Sequence, residues 1–307
     1  MRQGLTGLFI LLCSSFINHS AFALQLPLPK SNESIVGRTF IVTAQKNDNF
    51  MHLARLYSSG FHELMEANAD ISPWHPLNGE KVLIPTEFIL PDAPRDGIII
   101  NLAELRLYYF DRNNKRLFTY PVGVGKRGWM TPLGKRMVSH KIHKPHWHVP
   151  ESIRAYHAKQ GKYLPKSIAP GPKNPLGEHA MRLSHSSYLI HGTNKVMGIS
   201  RRTSSGCISL FPEDIKNLFN IVKVNTPVYI VNQTYKIGHK NKQLFLEVHK
   251  PLYEFKVKQT ELNQQIIFAL LKYNQNNQYQ LNWKKINQVI DEQQGIPTVI
   301  SSLNNTH

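Results

Sequence analysis

Apolar positions along the chain change period several times, and each change marks an element. Arg38-Thr39-Phe40-Ile41-Val42-Thr43 reads as a strand. Asn47-Asp48-Asn49 then offers caps for a helix that carries Phe50, Leu53, Ala54 and Tyr57 on one face. Phe61, Leu64 and Met65 mark a second short helix, and Asn68-Ala69-Asp70 and Pro76-Leu77-Asn78-Gly79 are turn chemistry. A strand over Lys81-Val82-Leu83-Ile84 is expected to stop at Pro85. Residues 38–86 thus read as a compact strand-helix-helix-strand unit. Residues 87–95, with Pro91 and Pro94, read as a linker. From Gly97 the pattern is that of strands: Ile98-Ile99-Ile100-Asn101-Leu102, then Leu105-Arg106-Leu107-Tyr108-Tyr109-Phe110. The turn Arg112-Asn113-Asn114 follows, then Leu117-Phe118-Thr119-Tyr120, with more short strands as far as Pro227-Val228-Tyr229-Ile230-Val231. One helix, Glu213 to Ile221, interrupts them, and a proline- and glycine-rich loop spans 144–177. The expected fold is α+β, with a mainly β domain over 97–233 built as a sandwich or mixed sheet. The Asn- and Gln-rich tail, 236–307, carries a strand pattern at Leu244-Phe245-Leu246-Glu247-Val248 and a helical one from Trp283 to Glu292. It reads as a small α/β appendage.

The first 23 residues follow a different rule. Arg2 supplies positive charge, Leu8-Phe9-Ile10-Leu11-Leu12 an apolar core, and Ala21-Phe22-Ala23 small residues at both cleavage-defining positions. This is the pattern of a secretory signal peptide, removed after Ala23. The apolar run is shorter than the roughly 20 residues that a span needs, so no integral membrane span is expected. A lipoprotein site at Cys13 is the rival reading, but Leu12 stands where a small residue would be needed. Export changes the meaning of the net charge of +17. It turns the reading from nucleic acid toward an anionic membrane face or cell-wall polymer, unless the lysines serve solubility alone.

Export also makes the cysteine count informative. Once Cys13 leaves with the leader, Cys207 is the only thiol, in a compartment where cysteines are usually paired. It lies in Ser204-Ser205-Gly206-Cys207-Ile208-Ser209-Leu210, sixteen residues after His191, which ends the apolar run Tyr188-Leu189-Ile190 and opens His191-Gly192-Thr193. A thiol attacks a carbonyl as thiolate, so it needs a base or a positive environment. Gly192 allows a turn after the strand, and Gly206 allows close approach to the backbone, with the Gly206 and Cys207 amides available to an oxyanion. Taken singly, the cysteine reads more readily as a small buried hydrophobe and the histidine as a satisfied core residue. His140, His143, His146 and His148 lack a companion carboxylate or cysteine and are irregularly spaced, so they read as a cleft rim and no metal is expected.

Taken together, His191-Gly192-Thr193 and Arg202-Thr203-Ser204-Ser205-Gly206-Cys207 resemble the signature of the L,D-transpeptidases of the YkuD type, in their ErfK/YbiS branch. The likeness extends through Met65-Glu66-Ala67-Asn68, Leu90-Pro91-Asp92, Leu107-Tyr108-Tyr109, Thr131-Pro132 and Pro145-His146-Trp147. It continues in Gly171-Pro172-Lys173-Asn174-Pro175-Leu176-Gly177, Glu213-Asp214-Ile215-Lys216 and Glu247-Val248-His249-Lys250-Pro251-Leu252. Residues 38–86 resemble a LysM module, with Asn47-Asp48-Asn49 in place of the usual glycine-aspartate-threonine helix start.

The resemblance implies that 97–233 is a catalytic domain of a periplasmic enzyme of a Gram-negative cell. Cys207 would attack the carbonyl of the third residue of a peptidoglycan tetrapeptide stem, releasing the terminal D-alanine, and the acyl group would pass to an amine. That amine would belong to an outer-membrane protein or to another stem. His191 would act as base and then acid, held through its second nitrogen by a backbone carbonyl near Gly192-Thr193. Gly206 and Ser205 would complete the catalytic set, and Arg202 would clamp a stem carboxylate, unless it forms a strand-end salt bridge instead. Gly192, Thr193, Trp147 and Asn174 would also touch substrate. No cofactor and no nucleic-acid partner are implied. Ser205 and Ser209 depart from the histidine and the arginine or asparagine of many relatives, and Ser209 in place of arginine removes a cation near the thiol. Two other readings remain: water as acceptor, giving a carboxypeptidase or hydrolase, and a non-catalytic wall-binding protein.

Overall fold

The structure is a computed structural model that describes residues 23–30, 33–74, 78–275 and 279–302. Residues 1–22 of the leader, with Cys13, and the turn residues Pro76 and Leu77 lie outside the described residues. After the short strand β1 (Leu24–Pro27), the long strand β2 (Ile35–Thr43) leads into helices α1 (Phe50–Leu56) and α2 (Phe61–Ala67) and back through β3 (Lys81–Ile89). Asn49 caps α1 by accepting the His52 amide on its side chain. Phe50, Leu53, Phe61 and Leu64 of the helices close over Val82 and Ile84. Strand β3 does not stop at Pro85: β2 and β3 stay paired from Thr43↔Lys81 to Ile35↔Ile89. In a two-stranded sheet each strand has an open edge, and a proline whose missing N–H lies on that side costs no ladder bond. Three of the nine residues read as linker are therefore strand, and Ile89 reaches across to donate its amide to Glu247.

The centre of the molecule is a nine-stranded sheet. It takes in β4 (Gly97–Asn101), β5 (Arg106–Asp111) and β6 (Arg116–Pro121), with β1 added on the β6 edge. After β7 (Val124–Gly125) comes β8 (Gly134–His143). The loop that follows carries β9 (Trp147–His148), helix α3 (Glu151–Ala158) and β10 (Ser167–Ile168). The chain returns through β11 (His179–Leu183), β12 (Leu189–His191), β13 (Arg202–Ser204) and β14 (Ile208–Ser209), then helix α4 (Pro212–Ile221) and β15 (Pro227–Val231). Across the sheet the order is β1-β6-β5-β4-β15-β8-β11-β12-β14, and β13 pairs separately with β7. The unbroken apolar run at Ile98-Ile99-Ile100 reflects burial on both faces. Ile98 and Ile100 join Val138, Met181, Ile190 and Ile208 beneath α4, while Ile99 joins Tyr108, Phe110, Leu117 and two residues of the preceding unit, Val36 and Phe88.

The tail forms β16 (Tyr235–Lys240) and β17 (Gln243–Val248), helix α5 (Gln259–Asn274), β18 (Gln280–Leu281), helix α6 (Trp283–Glu292), β19 (Thr298–Val299) and β20 (Ser301–Ser302). Its own core holds Leu244, Leu246, Leu262, Ile266, Ile286 and Ile290. Among the described residues no helix is long and apolar enough to cross a membrane.

Candidate active site

Strand register brings the two singled-out residues to one face. β12 and β14 run parallel, with Ile190 beside Ile208 and His191 beside Ser209. Side chains alternate along a strand. Ile190 and Ile208 therefore enter the core, while His191, Ser209 and Cys207, two positions before Ser209, turn to the opposite face. The next strand contributes to that face too: in β11, Ala180 pairs with His191 and Arg182 with Leu189. There Cys207 packs with Leu176, Ala180, Leu189 and Trp147.

The imidazole is fixed and uncharged. His191 Nδ1 donates to the Gly192 carbonyl at 2.5 Å, which leaves Nε2 as the unprotonated nitrogen. Burial pulls the histidine down to about 4, against the supporting effect of that hydrogen bond. Burial likewise pushes the Cys207 thiol up, while a hydrogen bond from the Leu189 backbone and the charge of Arg182 act in the opposite direction. The resting pair is thus a neutral thiol and a neutral imidazole. Arg182 was not singled out in the sequence. Its charge acts on the thiol because β11 pairs with β12, and Ser209 is buried beside His191.

The turn that presents Cys207 is tied at three points. Ser204 Oγ accepts the Gly206 amide at 3.1 Å and donates to the Cys207 carbonyl at 2.5 Å. Thr131 Oγ1 donates to the Gly206 carbonyl at 2.9 Å and accepts the Gly125 amide at 3.0 Å. Gly206 has φ +103, and a Cβ there would come within 2.4 Å of the Tyr188 ring. The glycine is thus required by Tyr188 and by its backbone conformation, not by open space for a ligand, and its amide is engaged by Ser204.

Two expected substrate contacts are occupied by the protein itself. Arg202 donates from Nε to the Gly125 carbonyl at 3.0 Å and from Nη2 to Glu254 at 2.7 Å, so its carboxylate partner comes from the chain's own tail. Asn174 is fully buried. Its Nδ2 donates to the carbonyls of Pro145, Ile168 and Ala169, and its Oδ1 accepts the Leu176 amide. It therefore staples the loop over 144–177 to itself and has no group left for a ligand. Thr193 Oγ1 accepts the Lys195 amide. Gly192 packs against Ile215, and its carbonyl serves His191. Ser205 is half-buried at the turn and Trp147 half-buried against the Cys207 cluster. Of the loop histidines, His146 and His148 stack on each other and His143 lies against His179. Among the described residues the acid–histidine group compact enough to suggest a metal is Glu104, Glu247 and His249. There the Lys236 ammonium already bridges Glu104 and Glu247 at 2.7 Å each, filling the place of a cation.

Comparison with known proteins places this architecture. Residues 95–230 match the YkuD family, the L,D-transpeptidase catalytic domain. The chain is 41% identical over 234 residues to the probable L,D-transpeptidase YcfS of Escherichia coli (strain K12), covering 74% of this chain and 73% of that protein. It is 37% identical to the probable L,D-transpeptidase ErfK/SrfK of the same strain, covering 79% and 80%, and 35% identical to YbiS, covering 76% and 77%. The chain belongs to the YkuD-type L,D-transpeptidase family. The resemblance read from its motifs holds over most of its length.

Proposed function

We propose that the protein is an exported enzyme that acts on peptidoglycan through a Cys207 acyl-enzyme. The observation that carries this reading is the orientation of His191. With Nδ1 bound to the Gly192 carbonyl, Nε2 is a free base on the same sheet face as the only thiol among the described residues. Nε2 takes the thiol proton as sulfur attacks the carbonyl of the third stem residue. The oxyanion is met by the Cys207 amide, since that of Gly206 is engaged by Ser204. The tetrahedral intermediate collapses, and the imidazolium returns its proton to the departing D-alanine amine. An incoming amine then repeats the sequence in reverse, losing its proton to His191 and releasing the thiol. In this reading the leader over 1–23 directs export to the periplasm, the 38–86 module holds the wall, and the acceptor is at times an amine of an outer-membrane protein.

The test is incubation of the mature protein with purified muropeptides, together with intact-mass analysis after exposure to a carbapenem. Exchanged or cross-linked stems and one adduct on Cys207 are expected, with none on Cys207→Ala. Trimmed stems alone assign water as acceptor, and an equal adduct on Cys207→Ala removes the nucleophile assignment. For the acceptor, sacculi from cells with and without the gene are digested and the attached proteins identified. If only cross-links between third residues depend on the gene, the protein-acceptor reading fails.

A further inference from the structure

A cleft of about 670 Å³ lies where the N-terminal unit, the strand leading to the Cys207 turn and the tail meet. This is within the usual size of small-molecule sites. Its walls include Phe61, His62, Trp74, Arg201, Lys250 and Tyr253. Most of its charges are already matched. Lys250 lies 3.6 Å from Glu66, Arg202 is paired with Glu254, and Glu104 and Glu247 share Lys236. Arg201 is different. Its guanidinium stands over the rings of Phe61 and Trp74, 4.6 and 5.5 Å from their centroids. Among the described residues it has no carboxylate partner, and its buried Nε has no hydrogen-bond acceptor. Trp74 is 58% exposed although it packs at 5.0 Å against Phe61. One unmatched guanidinium held over a pair of packed aromatic rings suits a single carboxylate next to an apolar or sugar surface. It suits a doubly charged phosphate less well, because the matched pairs around it supply no further net positive charge.

We propose that this cleft is a second binding site, separate from the Cys207 face, in which Arg201 grips a carboxylate of a peptidoglycan stem while Trp74 covers the adjoining surface. The choice of polymer rests on the function proposed above; the choice of a carboxylate rests on Arg201 alone.

The probe is a disaccharide-tetrapeptide and the same molecule with its carboxylates amidated, titrated into Cys207→Ala protein. The readout is the indole N–H resonance of Trp74, assigned by its loss in Trp74→Phe. The free acid is expected to shift that resonance, and the amidated form to bind about 10- to 100-fold more weakly, the range for a lost charge-assisted pair. Arg201→Gln should lose the same factor and Arg201→Lys only part of it, with melting temperatures checked in parallel. Equal binding of acid and amide, or unchanged binding by Arg201→Gln, overturns the proposal. So does an equal Trp74 shift with anionic phospholipid vesicles, which would assign the cleft to lipid headgroups. The wild type is tested on the same muropeptide for acylation. Acylation without an Arg201-dependent shift defeats the cleft alone, whereas an Arg201-dependent shift without acylation defeats the catalytic reading alone.

Discussion

His191, with its Nδ1 proton given to the Gly192 carbonyl, keeps one nitrogen free for a proton over most of the pH range, because burial holds the ring neutral down to about 4. Acylation is therefore expected to lose its base with an apparent pKa near 4. An acid limb near the ordinary histidine value of about 6.5 would instead show an imidazole that burial does not hold neutral. Because burial also raises the Cys207 thiol, alkylation by iodoacetamide should keep accelerating with pH beyond the ordinary thiol range. The same depressed histidine bears on stability. The unfolded chain binds its proton first, so His191 favours the fold above about 6.5, and that contribution is lost as pH falls toward 4. His191→Ala should slow acylation by at least ~10²-fold, the cost of a lost general base. Wild-type acylation by that variant, with loss in a variant of His140, His143, His146 or His148, would move the base elsewhere.

At the scale of elements, the loops flanking Cys207 are braced from the tail. The 3-10 turn Tyr253–Phe255 places Glu254 on Arg202. Arg202 in turn holds the Gly125 carbonyl, and Gly125 meets Thr131, which grips Gly206. Arg127, in the same loop, lies over the Tyr253 ring at 3.3 Å. Glu254 is thus a positioning residue acting through Arg202. Glu254→Gln should reduce the acylation rate constant by about 10-fold with little change in half-saturation, and Glu254→Asp should recover part of the loss. A change confined to half-saturation would mean that Arg202 meets substrate after all. Thr131→Val, which leaves the buried Gly206 carbonyl and Gly125 amide without their partner, should cost ~1–3 kcal/mol in urea unfolding. These braces explain why Arg202 looked like a ligand in the sequence: its partner is 52 residues away, and no local pattern connects them.

At the scale of the molecule, the N-terminal unit is not merely appended to the central sheet. Arg106 of β5 is completely buried. It pairs with Glu63 of α2, donates to Thr119 at 3.1 Å and stacks on Phe88 at 4.3 Å. Val36 and Phe88 belong to the core under Tyr108 and Phe110. Removing residues 35–89 would expose that core and leave a buried guanidinium unpaired. The deletion is expected to abolish cooperative unfolding, and Glu63→Gln alone to cost about 3–5 kcal/mol, both read in urea melts. A deletion that melts like the full chain would show that the central sheet is autonomous. Wall affinity of the module is therefore better tested by substitutions on its exposed face than by truncation.

The sequence by itself determined part of the succession of elements, because period-2 and period-3.6 patterns are local, but it did not show helix α3 inside the 144–177 loop or the 16-residue helix α5 of the tail. Caps such as Asn49, the helix after Cys207 and the tail strand at 244–248 could all be read from neighbours a few residues apart. It also singled out Cys207 and His191 by residue type and spacing. Only the tertiary structure decided what faces what. The parallel pairing of β12 with β14 sets both residues on one face and brings in Arg182. Asn174 turned from a ligand into a staple because loop closure brings the Pro145 carbonyl, 29 residues away, to a side chain that also takes those of Ile168 and Ala169. Pro85 did not end its strand because its sheet has only two members. In each case the deciding partner is set by strand order or loop closure, quantities that depend on the whole chain and leave no trace in a window of neighbouring residues.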